Sequence, residues 1–335
     1  MKHYYIVEGT VRNNIGDILQ GMAAAQFLNE DAIAVDREKL YMLGKENPGF
    51  LLATGWFMHD YTLFPPPPNI RPFYISVHVA NSDFLRNRHV REHFRMHGPV
   101  GCRDKKTLQL FLGWGIPAYY SGCLTITTKY KTPVRKDNNG AFLMVDNVDH
   151  PVPENIVQKI ESILQKKFTR ISHDPTGISL PFEDYVLSGT ERMQSLLNEY
   201  CDASLVITTK IHCALPCLGM GANVVLIHPN PSDPRLQTVR QFMQIISYDQ
   251  ILKTDYLLQP KKKSNTLIKQ RLFISELVQL AVRNHHNPIR YADNMHHRYI
   301  KYRSLILALL YRRIILFFLK TGLANKQMKR VFAQI

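Results

Sequence analysis

The stretch Asp202–Pro229, DASLVITTKIHCALPCLGMGANVVLIHP, decides the fold. A β-branched apolar run, LVITT at 205–209, meets Lys210 and His212, then a helical segment of small residues, then a second apolar run, NVVLIH at 223–228. Apolar runs that do not alternate, separated by a helix, mark parallel strands covered on both faces. Lys210 and His212 therefore sit where a strand ends and the helix CALPCLGMG begins. In open α/β sheets that is where ligands bind, because a helix N-terminus offers unpaired N–H groups and a partial positive charge. The pair is a candidate site for a phosphate or carboxylate, with a histidine placed to deliver a proton. A core-edge histidine bonded to a carbonyl, beside a solvated lysine, is the bland alternative, and position alone leaves both open.

Outward from this unit the same alternation recurs. Strand-like YYIVEG, DAIAVD, GFLLATGWF, FYISVHVA and PAYYSGCL are interleaved with helical DILQGMAAAQFL and KKTLQLFLGWG. KTPVRKDNNG, 131–140, is polar and turn-forming and reads as a linker. The pattern then restarts with GAFLMVDN, the helix PENIVQKIESILQKKF, FTRISH, and a helix ending near LLNEYCDA. The prediction is an α/β chain of two Rossmann-like, doubly wound domains, 1–133 and 140–284, facing a cleft, with a separate tail at 285–335. PPPP at 65–68 reads as a stiff loop between strands.

Two further turns place charge where strands end. VGCRDKKT, 100–107, puts Arg103 there, whose planar fork matches a carboxylate or phosphate. Asp104 beside it reads more simply as a helix N-cap. VRNNIGDILQGMAAAQFL, 11–28, brings Arg12, Asn13, Asn14, Gly16 and Asp17 to the first strand end, where Gly16 permits close backbone approach and Asp17 starts the helix. Trp56 and His59 in GWFMH follow a third strand, and Trp56 is suited either to stacking on a sugar or to filling a core. Neither GxGxxG nor GxxxxGK[ST] occurs, so no dinucleotide or P-loop site is supported. NHH, NMHH and HVREHFRMH are rich in histidine, but no acidic or Cys partners recur at ligand spacing, and no metal is predicted.

Composition narrows the class. The 335 residues are 45% hydrophobic, enough for a sizeable core, and five cysteines without regular spacing read as reduced, buried thiols. With no secretory h-region in MKHYYIVEG, the expected location is cytoplasmic. Of the formal +15, the segment from Arg290 onward holds +9, ten Lys/Arg against Asp293. Those charges are interleaved with aliphatic runs rather than with aromatics and glycines, which argues against nucleic acid and for a membrane surface.

Taken together, NNIGDILQGMAAAQFL, GCRDKKTLQLFLGWGIPAYYSGCLT, DASLVITTKIHCALPCLGMGANVVLI and DPRLQTV resemble the polysaccharide pyruvyl transferase family, in order, over about residues 5–250. The resemblance implies a GT-B-like fold, an acceptor side in the first domain, a donor side in the second, and phosphoenolpyruvate between them. The family's Arg/Lys-x-His motif falls on Lys210, Ile211 and His212, and its cleft arginine on Arg103. Lysine at the first position keeps the charge without the bidentate fork. On this reading His212 is general acid or phosphate partner, Lys210 and Arg103 bind the donor, and Asp17 is a base or orienting group. Asn14, Gly16, Asp17, Trp56 and His59 then form the acceptor side, with no cofactor. A nucleotide-sugar glycosyltransferase on the same scaffold is the alternative, with Glu183 or Asp184 as ribose-binding acid. An idle binding subunit is a third class, disfavoured because charged turn residues persist in both halves. Oligomeric state is left open.

KYRSLILALLYRRIILFFLK, 301–320, is broken by Arg312 and Arg313, so neither side reaches the roughly 20 residues of a transmembrane helix. On a helix Lys301, Arg312, Arg313 and Lys320 share one face, Arg303 lying off it, which describes an amphipathic helix resting on anionic lipid at the inner face of the cell membrane; a terminal helix packed back across both domains or buried in a dimer is the alternative. A lipid-linked oligosaccharide acceptor would suit that placement. A chain ending near Arg298 is expected to keep its fold but lose co-sedimentation with anionic liposomes; unchanged sedimentation would refute the membrane reading.

Overall fold

The structure, a computed structural model, describes residues 1–44, 48–130, 132–135, 137, 139–147, 149–253 and 265–289. The first half runs β1 (Lys2–Val7), α1 (Ile15–Ala25), β2 (Ile33–Asp36), β3 (Gly49–Phe57), β4 (Ile70–Val79), α2 (Arg88–His97), β5 (Val100–Cys102), α3 (Lys105–Gly113) and β6 (Ala118–Tyr120). The second runs β7 (Phe142–Asp146), α4 (Glu154–Leu164), β8 (Thr169–Ser172), α5 (Phe182–Asp202), β9 (Leu205–Thr208), α6 (Ile211–Met220), β10 (Val224–His228), α7 (Gln237–Arg240), β11 (Ile245–Ser247), α8 (Tyr248–Lys253) and α9 (Asn265–Asn284). The strands form two parallel sheets, in the orders β2-β1-β3-β4-β5-β6 and β11-β10-β9-β7-β8.

Both sheets belong to one compact unit, Met1–Arg290. The other unit, Tyr291–Ile335, contains the tail helix expected at 301–320 and lies outside the described residues. Each sheet has a core of its own. Phe57, Tyr74, Phe84, Phe94 and Phe111 interlock in the first, and Met144, Ile160, Ile207 and Ile227 in the second, all fully buried. The five cysteines are buried and unbridged. No helix among the described residues is long and apolar enough to cross a membrane.

Local chemistry sets the helix starts, and two differ from the sequence expectation. Asn14, not Asp17, caps α1, its Oδ1 accepting from Gly16 N at 3.0 Å, which leaves Asp17 inside the first turn. α6 begins at Ile211, so His212 is helical and Lys210 holds the cap position without any side-chain cap. Asp104 caps α3 as expected, accepting from Thr107 N at 2.8 Å. A register shift between β3 and β4 leaves Ser76 as the extra residue, at φ +58°, and pairs Trp56 with His78 beyond it.

The two halves meet closely. A Cβ on Gly219 of α6 would lie 2.2 Å from the Ile126 carbonyl oxygen, and one on Gly189 of α5 would lie 2.9 Å from Ile18 of α1. α9 ties both sides together, Gln270 donating to the Ser121 carbonyl and Arg271 to the Gly219 carbonyl at 2.7 Å. Since backbone cannot yield as a side-chain tip can, Gly219→Ala is expected to destabilise the chain by about 1–3 kcal/mol. Gly113, with nothing within 4 Å of its Cβ position, is the control, and Gly113→Ala should stabilise by about 0.5–1 kcal/mol. Denaturant midpoints measure both, and equal midpoints would show that the interface has slack.

Candidate active site

The carboxyl ends of both sheets open on one cleft of about 970 Å³. Such crevices collect ligands because the loops there connect strand ends to helix N-termini. Asn14, Asp17, Trp56, His59, Arg103, Lys210 and His212 all line it. Gly16 is buried and does not line it. Its contribution is space: a Cβ there would stand 2.1 Å from Nδ1 of His212. Glu183 and Asp184 are exposed in the first turn of α5 and do not line the cleft.

The cations divide into two kinds. Arg37 is buried, paired with Glu8 and with Glu38 at 3.1 Å, and its guanidinium lies 5.0 Å over the Trp56 ring. Burial draws its pKa down to about 10, which leaves it charged. Arg235 is paired with Asp233 at 2.7 Å. Arg103 and Lys210, by contrast, have no carboxylate in ion-pair range among the described residues. Arg103 reaches Gln20 Oε1 at 3.4 Å, and Lys210 donates to Asn147 Oδ1 at 2.6 Å. They approach from opposite sheets, and Lys210 heads a helix whose first N–H groups no side chain caps. Cations and a helix terminus arranged in this way suit an anion with more than one charged group.

The titratable groups are pushed in opposite directions. Burial raises Asp17 to about 6, against the pull of Arg103 and a 2.8 Å hydrogen bond from Gln20. Burial lowers His212 well below its ordinary value, with Arg103 and His173 adding to the effect. That favours the neutral imidazole, whose Nε2 has no hydrogen-bond partner among the described residues.

Other cleft residues were not singled out from the sequence. His78 Nδ1 lies 2.6 Å from Asp104 Oδ2, so the α3 cap also orients a cleft histidine. Burial lowers His78, while the Asp104 bond opposes the shift. Burial favours the neutral acid of Asp104, yet the His78 bond and the Thr107 N–H hold it below the usual carboxylate value. His173, just past β8, is 3% exposed and lines the cleft. His78 was hidden by the Ser76 bulge, which no local pattern announces. The histidine in FTRISH was readable as a strand-end residue. Trp56 is half-buried at the cleft wall, its ring centroid 4.2 Å from that of His59.

A model of the polysaccharide pyruvyl transferase family matches residues 14–231. No curated protein matches the chain. Among solved structures, a functionally uncharacterized protein from Klebsiella pneumoniae is similar at 13% identity, over 72% of this chain and 88% of that one, with a TM-score of 0.41.

The raised Asp17 carries a stability signature. Its folded pKa of about 6 lies above the unfolded value, so the native state binds the extra proton and the wild type loses stability as pH rises from about 4 through about 6. Asp17→Asn, which does not titrate, should match the wild type near pH 4 and melt higher above pH 6, the gap opening across that window. A gap independent of pH would show that the carboxylate is not desolvated.

Proposed function

The chain belongs to the polysaccharide pyruvyl transferase family, a family of transferases in polysaccharide biosynthesis. On that premise we propose that it transfers the pyruvyl group of phosphoenolpyruvate to a sugar of a bacterial surface-polysaccharide intermediate, closing a ketal across two hydroxyls. The observation that supports this most is the pair Arg103 and Lys210, two cleft-lining cations with no carboxylate in ion-pair range among the described residues, beside the uncapped N-terminus of α6. Phosphoenolpyruvate presents one carboxylate and one phosphate to such a pair.

The chemistry assigns roles. A proton added to C3 turns the methylene into a methyl group and leaves C2 cationic. One sugar hydroxyl bonds to C2, phosphate leaves with its bridging oxygen, and a second hydroxyl bonds to C2. Of the two protons those hydroxyls give up, one balances the proton added at C3 and the other leaves with phosphate. His212 is the acid or phosphate partner, and Lys210 and Arg103 hold the anionic ends. Asp17, near 6 and mostly ionised at neutral pH, suits removal of one hydroxyl proton. His78, oriented by Asp104, is a second base for the second hydroxyl. Trp56 and His59 line the first-half wall, where the acceptor sugar would lie.

We read the arrangement as GT-B-like, a reading supported by two parallel sheets sharing a cleft and by α9 returning to the first half. A lipid-linked acceptor and attachment to the inner membrane face rest on the sequence of 301–320 alone. The glycosyltransferase alternative would place a nucleotide diphosphate on the same helix terminus. It lacks support from Glu183 and Asp184, which lie outside the cleft lining.

Ligand-induced thermal stabilisation separates the two. Phosphoenolpyruvate should raise the wild-type melting temperature, nucleoside diphosphates and nucleotide sugars should not, and His212→Ala should abolish the shift. A shift with one nucleotide and none with phosphoenolpyruvate would replace pyruvyl transfer with glycosyl transfer.

A further inference from the structure

His173 has no role in the scheme above, yet it is placed as a ligand-binding group would be. Its backbone N–H is fixed to the Asp146 carbonyl at 2.7 Å, at the end of β8. The residue is 3% exposed, lines the cleft, and carries an Nε2 without a hydrogen-bond partner among the described residues. The Nε2 of His212 is in the same condition. Buried polar atoms of this kind call for an explanation, because proteins satisfy nearly all of them. Two of them beside Lys210 and an uncapped helix N-terminus share one explanation, an acceptor-rich anion at that wall.

We propose that His173 is a second ligand for the donor's phosphate, and that His173 and His212 take up a proton from solvent as the donor binds. The proposal rests on reading the cleft as a phosphoenolpyruvate site.

The groups facing the pair explain why it is uncharged beforehand. Burial comes first and holds His173 at about 3, with Lys210 and Arg192 adding to the effect and Asp174 opposing it. Burial, Arg103 and His173 act on His212. Asp174, Asp146 and Asp149 favour the charged form of Lys210, while burial and Arg235 oppose it. A phosphate and a carboxylate entering this wall reverse the balance, since nearby negative charge favours imidazolium and burial strengthens the attraction. His212 then acquires with its substrate the proton that acid catalysis requires.

Calorimetric titration of the full chain near neutral pH, in two buffers of different ionisation enthalpy, reads the proton directly. Phosphoenolpyruvate, inorganic phosphate and pyruvate are titrated separately. The expected result is uptake of about one proton with each phosphate-bearing ligand, cut by about half or more in His173→Gln, with affinity for both weakened about tenfold, the scale of one hydrogen bond to a charged group. Pyruvate binding should be unaffected by the substitution. Wild-type binding without proton uptake, or a His173→Gln protein with unchanged uptake and affinity, overturns the proposal.

Should His173→Gln fail to fold, histidine ring ¹⁵N spectra of the wild type decide. Two rings each moving part of the way toward the imidazolium pattern on adding inorganic phosphate, together about one proton, support the pair, and movement of one ring alone or of neither overturns it. Binding of inorganic phosphate with uptake but rejection of phosphoenolpyruvate would leave the histidine pair standing and remove the pyruvyl-donor reading. Binding of neither would remove both.

Discussion

The contact on which the cleft depends is that of the His212 imidazole with Gly16, the N-terminus of α6 laid against the first turn of α1. Each helix end would bind an anion weakly alone. Their close approach puts Arg103 of one half within electrostatic reach of both Asp17 and His212. Small residues make it possible along the whole seam, Gly189 against Ile18 and Gly219 against the Ile126 carbonyl. A seam this tight also restrains the β1–α1 loop. Arg12, at φ +49°, bonds from that loop to the Ile178 carbonyl at 2.9 Å and lies over the Tyr185 ring at 4.6 Å. The wall of the cleft on the first sheet is thus held in place by the second.

Much of this was legible in the chain because it is written locally. Unalternating apolar runs separated by helical segments specify parallel strands, and Lys210, His212 and Arg103 sit at strand ends that any such fold directs toward ligands. Asp104 as a cap follows from its position before a helical run. What was hidden depends on non-local geometry. Glu8 and Arg37 are far apart in sequence and meet only because β1 and β2 pair. His78 reaches the cleft through the extra residue in β4, and its partner Asp104 lies on a different element. Asn14 starts α1 as its cap, and Asp17, read from the sequence as the residue that begins the helix, lies inside the first turn.

The acidic and basic groups of the cleft show the same burial acting with opposite sign. It raises a carboxyl and lowers imidazoles, since in each case the charged form is the one penalised. Asp17 is moved toward neutrality from below, while His173 and His212 are moved away from it. Groups whose environments separate their proton affinities are the usual foundation for dividing acid from base. The separation costs stability, as desolvated ionisable groups do, and a compact core in each half offsets it.

This division implies an order of events under the proposed reaction. Before the donor arrives the histidines are neutral, so no acid stands ready to protonate an enol carbon. An acceptor sugar alone would meet a base in Asp17 and a cationic wall in Arg103 and Lys210, with nothing to react. The donor's negative charges both satisfy that wall and supply the field that makes imidazolium stable. Substrate binding and acid formation are then one electrostatic event, and the proton becomes available only while an anion occupies the α6 terminus. A cleft so arranged keeps its acid switched off in water, where it would serve no reaction, and switches it on by the charge of the molecule it is to act upon.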